Sequence, residues 1–159
     1  MTKKILFVCT GNTCRSSMAE VLARDMLAGK GLDREITVAS AGVGALPGME
    51  ASPGAVQAMK EMGLDLGAHR ARPITRRDVE EADLVLTMTA AHREMVRELA
   101  PDQAGKVFTL AEYAGRAGDV PDPVGAPVEV YRRVAAGLRM LVGLALERYT
   151  GGGKDREKQ

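Results

Sequence analysis

The sequence predicts one α/β domain, a four-stranded parallel sheet with helices on both faces, and three observations carry that prediction. A chain of 159 residues with 45% hydrophobic content is enough for a single core, burying roughly 70% of the surface exposed when unfolded. Short apolar runs, part β-branched, recur four times and read as strands buried on both sides. Segments of helical period separate them, the pattern of successive βαβ units. No repeat or second domain interrupts this pattern. The domain is expected over residues 1–150, with a disordered polar tail over 151–159.

Ile5-Leu6-Phe7-Val8 is the first strand, followed by a polar, Gly-containing loop from Cys9 to Arg15. From Ser16 the pattern turns helical: Met18, Val21, Leu22 and Met26 share a face, and Gly29-Lys30-Gly31 stops it. Ile36-Thr37-Val38-Ala39 is the second strand. Ser52 caps and Pro53 opens a helix with Val56, Met59 and Met62 on its apolar face and Gly63 at its end. Thr75-Arg76-Arg77-Asp78 is a capping start for a short helix ending near Glu81. Leu84-Val85-Leu86-Thr87-Met88 is the third strand, and Thr89 caps a helix that reaches Leu99 before Pro101. Val107-Phe108-Thr109-Leu110 is the fourth. Residues 115–127, rich in Gly, Pro and Asp, form a loop. Pro127 then opens a long helix with Val130, Val134, Leu138, Leu141 and Ala145 as its stripe, ended by Gly151-Gly152-Gly153.

Composition excludes several classes. Twenty-two Lys+Arg against 21 Asp+Glu give a net charge of +1, so a strongly basic nucleic-acid binder is ruled out. The aromatic residues are Phe7, Phe108, Tyr113, Tyr131 and Tyr149, too few for base-stacking platforms. Cys9 and Cys14 are too close in sequence for a useful structural disulfide. A zinc site would have to recruit the distant His69 and His92, at no recognisable spacing. Neither a metal nor a cofactor is therefore expected. No apolar run is long enough to span a membrane, and residues 1–8 are too short for a secretory signal. A cytoplasmic monomer with reduced thiols is the expectation.

In open α/β sheets, ligands bind beyond the carboxyl ends of the strands. The loops at 9–15, 41–47 and 118–127 belong on that edge. The first joins a buried strand to a helix N-terminus, where N–H groups and the helix dipole favour an anion. It is neither a Walker loop, lacking Gly-Lys-Ser/Thr, nor a dinucleotide fingerprint, lacking the three glycines. Cys9 opens this anion cradle and Arg15 closes it. Thiols at helix N-termini beside a guanidinium ionise readily, and Arg grips two phosphate oxygens at once. A nucleophile and an oxyanion clamp in one short loop point to thiol-based phosphoryl transfer.

Cys-x-Gly-Asn-x-Cys-Arg-Ser at residues 9–16, followed by Ala19-Glu20, resembles the signature of the low-molecular-weight protein tyrosine phosphatases. The resemblance continues through Ser40-Ala41-Gly42, His69-Arg70-Ala71-Arg72, residues 82–88 and Asp122-Pro123. It implies the same four-stranded parallel fold and a role for each matching residue. Cys9 would attack phosphorus to form a phosphocysteine. Arg15 and the loop residues Thr10, Gly11, Asn12, Thr13, Cys14 and Ser16 would hold the substrate, with the Ser16 hydroxyl on the sulfur. Asp122 would protonate the leaving group and later activate water. Asp119, three residues away, is its rival, but Asp-Pro is the family's marker. Asn12, Ser40 and His69 match positions that brace the loop.

Cys-Thr-Gly-Asn-Thr-Cys-Arg-Ser with Asp119-Val120-x-Asp122-Pro123 looks most like the bacterial protein-arginine phosphatase branch. Many tyrosine-specific members carry a bulky aliphatic residue in place of Thr13 and an aromatic one in place of Val124. A polar Thr13 can order water, and Asp122 can pair with a guanidinium cation. The substrates expected are phosphorylated proteins, phosphoarginine foremost and phosphotyrosine as the alternative. A thiol arsenate reductase would need cysteines after Cys14, which the chain lacks. A non-catalytic phosphopeptide-binding module would not be expected to keep Cys9, Arg15 and Asp122. Cys14 has a further expected role, trapping oxidised Cys9 as a disulfide. His92 reads as part of a solvated helix face, and Arg70, Arg72, Arg76 and Arg77 as mainly solvated charge.

Overall fold

The computed structural model describes residues 2–151. Within them β1 (Lys3–Cys9), β2 (Ile36–Gly42), β3 (Leu84–Thr87) and β4 (Val107–Thr109) form one parallel sheet in the order β2-β1-β3-β4. The helices are α1 (Arg15–Gly29), α2 (Pro53–Glu61), α3 (Arg76–Glu81), α4 (Ala90–Leu99), α5 (Leu110–Tyr113) and α6 (Val128–Tyr149), with a 3₁₀ turn at Pro101–Lys106. None of these helices is long and apolar enough to cross a membrane. Of the polar tail expected over 151–159, residues 152–159 lie outside the described residues.

Strand parity divides the core. Ile5, Phe7 and Cys9 of β1 face one cluster, completed by α1, α2 and α6 residues such as Met18, Met59 and Leu138. Leu6 and Val8 face the other, with Val79, Val85 and Val96. Successive strand side chains point to opposite faces. Cys9 therefore emerges on the α1 side at the carboxyl end of a central strand. Helix α6 packs on α2 through a close approach at Gly54, where a Cβ would lie 2.4 Å from the Tyr131 ring.

Local differences from the sequence expectation have simple causes. The fourth strand stops at Thr109, because Thr109 and Glu112 form a capping box that starts α5 at Leu110. Helix α6 buries Tyr131, Ala135, Val142 and Leu146 beside Val134, Leu138 and Ala145. Its apolar face is thus broader than the expected stripe, and Val130 and Leu141 lie at its margin. Ser52 occupies the N-cap position of α2 without a side-chain cap bond. Its hydroxyl is committed elsewhere, as described next.

Candidate active site

The segment between β1 and α1 folds over the carboxyl edge of the sheet, and three other segments pin its backbone. Val43 N–H donates to the Cys9 carbonyl and Gly44 N–H to the Thr10 carbonyl, each at 2.9 Å. Ser52 donates its N–H (2.9 Å) and its hydroxyl (3.3 Å) to the Thr13 carbonyl. His69 Nε2 lies 2.6 Å from the Asn12 carbonyl, so that nitrogen carries the proton. The fit depends on Gly42, where a Cβ would sit 2.3 Å from the Thr10 carbonyl oxygen.

Asn12 organises the turn. Its φ of +57° lies in the left-handed region, which Asn tolerates better than most residues. The buried side chain donates through Nδ2 to Ser16 Oγ (2.8 Å) and Ser40 Oγ (2.9 Å), and accepts at Oδ1 from Arg72 N–H (3.1 Å). Ser40 in turn donates to Glu20, which also pairs with Arg24. The Asn12 N–H approaches Cys9 Sγ at 3.3 Å, and Ser16 Oγ lies 2.9 Å from the same sulfur. Ser16 already accepts from Asn12, so its own proton is available to the sulfur. Helix α1 starts with no side-chain cap on its first turn. Its free N–H groups suit an anion.

Cys14 has different surroundings. Burial, reinforced by the charge of Cys9, pushes its thiol up to about 11. At neutral pH it is therefore a neutral thiol.

Arg15 is 5% exposed. Its Nη1–H donates to the Val120 carbonyl at 3.2 Å, and Nη2 lies 3.6 Å from Asp122 Oδ2. Among the described residues its buried Nε–H meets no acceptor. Asp122 accepts the Val124 N–H at Oδ1 (3.1 Å), which lies 3.9 Å from Cys14 Sγ. A cleft of about 300 Å³ opens on these groups, with Thr13, Leu46, Met49 and Val124 in its wall. Among the described residues no aromatic ring lines it. A larger groove of about 410 Å³ runs between residues 119–121 and α6. It is mostly apolar and has neither cysteine in its lining, so the smaller cleft is the candidate chemical site. Among the described residues no cluster of three or more His, Cys, Asp or Glu is placed to hold a metal ion. The cleft's N–H and guanidinium donors suit an oxyanion instead.

The cleft thus brings Cys9, Thr10, Gly11, Thr13, Cys14, Arg15 and Asp122 together, while Asn12, Ser16, Ser40 and His69 lie behind it. Asp119 points elsewhere: its Oδ1 accepts the Ala90 N–H at 2.9 Å, at the start of α4. His92 corrects the sequence reading. It is 5% exposed, and its Nε2 lies 2.8 Å from Thr10 Oγ1. The signal was its position four residues before the buried Val96, on the same helix face. The arginines expected as mainly solvated charge do keep exposed side chains, and each also forms an ion pair: Arg70 with Glu50, Arg72 with Asp78, Arg76 with Asp102, and Arg77 with Glu81. The backbone N–H of Arg72 gives no sequence signal, because a main-chain group is the same in every residue, and Ser52 signals only a helix cap although its hydroxyl and N–H both serve Thr13.

Residues 4–148 match the family model described as low molecular weight phosphotyrosine protein phosphatase. A protein-arginine-phosphatase of Geobacillus stearothermophilus is 42% identical over 150 residues, 93% of this chain and 97% of that protein. A probable low molecular weight protein-tyrosine-phosphatase of Ralstonia solanacearum is 42% identical over 123 residues, 77% of this chain and 79% of its own length. Among solved structures, an arginine phosphatase mutant with a phosphorylated active-site serine superposes with a TM-score of 0.88. It is 40% identical and covers 92% of this chain and 95% of that one. By sequence, fold and the residues gathered at the end of β1, the chain belongs to the low molecular weight phosphotyrosine protein phosphatase family.

Proposed function

We propose that this chain is a cysteine-dependent protein phosphatase that hydrolyses phosphoarginine in proteins through a phosphocysteine intermediate. One observation carries the reading. The Cys9 sulfur with its two donors, an Arg15 Nε–H lacking an acceptor among the described residues, and the Asp122 carboxylate converge on one cleft. A phosphoryl oxygen would satisfy that N–H.

In the first step Cys9 Sγ attacks phosphorus, the N–P bond breaks, and Asp122 gives a proton to the leaving nitrogen. Arg15 and the loop N–H groups hold the three equatorial oxygens throughout. In the second step Asp122 takes a proton from a water that attacks phosphorus. The S–P bond breaks, Cys9 is restored and inorganic phosphate leaves. No cofactor takes part. Every group comes from one chain, which supports action as a monomer, and a reducing cytoplasm suits an unpaired nucleophilic cysteine.

The preference for arginine rests on Thr13 and on a cleft without aromatic lining. Arginine phosphatase relatives also match a larger share of this chain than the tyrosine phosphatase relative described above. Leu46, Met49 and Val124 are exposed apolar side chains that could instead pack a phenyl ring, and they favour a phosphotyrosine reading. Paired assays on phosphoarginine and phosphotyrosine proteins decide between them. The expected result is faster release from phosphoarginine, with Thr13→Ile shifting the ratio toward phosphotyrosine. A ratio favouring phosphotyrosine in the wild type would overturn the arginine assignment, and one unmoved by T13I would remove Thr13 as the residue that sets the preference.

A further inference from the structure

Helix α4 contributes nothing to the chemistry proposed above, yet its first turn touches both loops that do. On one side, His92 Nε2 lies 2.8 Å from Oγ1 of Thr10, the residue after the nucleophile. On the other, Ala90 N–H donates to Asp119 Oδ1 at 2.9 Å, three residues before the proposed acid. The next residue, Val120, donates its N–H to the Met88 carbonyl (2.9 Å) and accepts from Arg15 (3.2 Å). Thr87 Oγ donates to the Thr89 carbonyl (2.8 Å) and Thr89 Oγ1 caps the His92 N–H (3.1 Å), so the turn itself is fixed.

His92 is an odd choice for a residue that only fills space. Its Nδ1 is buried and finds no partner among the described residues. An orphaned polar atom is a cost that an aliphatic side chain would not carry. Burial, followed by the charge of Arg15, lowers its pKa to about 4 against the opposing pull of Asp119 and Asp122. The ring is therefore neutral at physiological pH, and what it retains is a single directed bond to Thr10. Asp119 likewise sits at a helix N-terminus, where a carboxylate is favoured.

We propose that the first turn of α4 is a clamp that registers the nucleophile loop against the acid loop, with His92 and Asp119 as its two positioning residues. His92 acts through Thr10 on the phosphate-binding backbone. Asp119 acts through residues 120–122 on the proton donor. The two arms therefore serve different steps, and their loss leaves different signatures. This inference rests on the phosphatase reading above.

The test compares H92L, H92Q and T10V with D119A and D119N. It measures inhibition by inorganic phosphate and turnover of two aryl phosphates, one with an acidic phenol and one with a basic phenol. H92L and T10V should weaken phosphate inhibition by about fivefold to tenfold, the scale of one lost hydrogen bond. Their double variant should lose no more than either alone, and H92Q, whose amide can donate to or accept from Thr10 Oγ1 near the position of Nε2, should restore most of the affinity. D119A should leave phosphate inhibition unchanged. It should slow the basic-phenol substrate by roughly tenfold more than the acidic-phenol one, a fraction of full general-acid catalysis. D119N, which keeps an acceptor for Ala90 N–H, should recover. If D119N is as slow as D119A, Asp119 acts through its own proton and the acid arm is wrong. If H92L, H92Q and T10V lose all readouts in proportion to a fallen Tm, His92 is merely structural. Should H92L not fold, T10V cuts the same bond from the exposed side, and an unchanged phosphate affinity there overturns the cradle arm. A wild-type protein that releases no phosphate from either aryl phosphate or from a phosphoarginine protein rejects the phosphatase reading itself, a result distinct from all of these.

Discussion

The two segments that meet in the cleft are held in opposite ways. In the nucleophile loop Cys9, Asn12, Cys14, Arg15 and Ser16 are buried, and bonds from β2, α2 and the loop before α3 brace it. In the segment that carries the proposed acid, only Val120 and Pro123 are buried between residues 118 and 125. Its ties to the rest of the fold are the contacts of Asp119, Val120 and Asp122 described above. The contrast follows the chemistry. A phosphoryl group needs fixed donors around three oxygens, and preorganised donors cost nothing to arrange during reaction. A proton donor needs reach, and access to solvent for its second role.

The largest way to break this contrast is at the sulfur. Cys9→Ser should reduce phosphate release by at least about 10⁴-fold, because the nucleophile has no substitute. Equal rates of phosphate release for variant and wild type would refute the enzyme reading altogether. Next in size, Asp122→Ala should slow substrates with basic leaving groups by about 10²- to 10⁴-fold and acidic phenols far less. A uniform loss across leaving groups would remove Asp122 from the proton-transfer step.

Stability sharpens the comparison. Asn12→Ala removes two buried side-chain donors and an acceptor and leaves a left-handed backbone to a residue that resists it. Denaturant unfolding should register about 2–4 kcal/mol of lost stability. Val124→Ala in the acid segment, at a side chain 62% exposed, should stay within about 0.5 kcal/mol. Similar values for both would mean that the loops are equally supported.

Acidification makes a smaller change. His92 titrates near 4 in the fold and near 6.5 when unfolded, so between those values the unfolded chain binds more protons. Its contribution to stability is complete above about pH 6.5 and is lost as pH falls toward about 4. Urea midpoints at about pH 7 and about pH 4.5 should therefore differ less in His92→Gln than in the wild type. An identical drop in both proteins would remove His92 from the pH response.

The least visible effect belongs to Cys14, whose distinctive signature should appear after oxidation. Peroxide converts the Cys9 thiolate to a sulfenic acid, and Cys14 can condense with it, releasing water and forming a disulfide that thiols reduce. Cys14→Ser should therefore recover less activity with thiol after peroxide treatment. Full recovery would leave Cys14 a packing residue.

How much of this was readable in advance followed the same division. The alternation of strands and helices, and the cysteine–arginine loop, are local patterns, and locality is what a sequence displays. Asn12, Ser40 and His69 came through family resemblance rather than through any local rule, since their bonds cross 28 to 60 residues of chain. The neighbours of His92, Arg93 and Glu94, suggest a solvated face, although its spacing to Val96 says otherwise. Ser52 suggests a helix cap, its usual use, while the fold directs both its N–H and its hydroxyl to Thr13. Asp119 and Asp122 are chemically identical, and only their surroundings separate the one beside Arg15 from the one at α4.

The double bond from Ser52 to the Thr13 carbonyl also bears on how such a domain can diverge. The loop is secured at this position by its main chain, so the Thr13 side chain is not needed to hold the cradle together. Selection can then exchange that side chain, and the exposed Leu46, Met49 and Val124 around the same cleft, without rebuilding the phosphate site. One scaffold can in this way serve an aromatic ester in one lineage and a guanidine phosphoramidate in another.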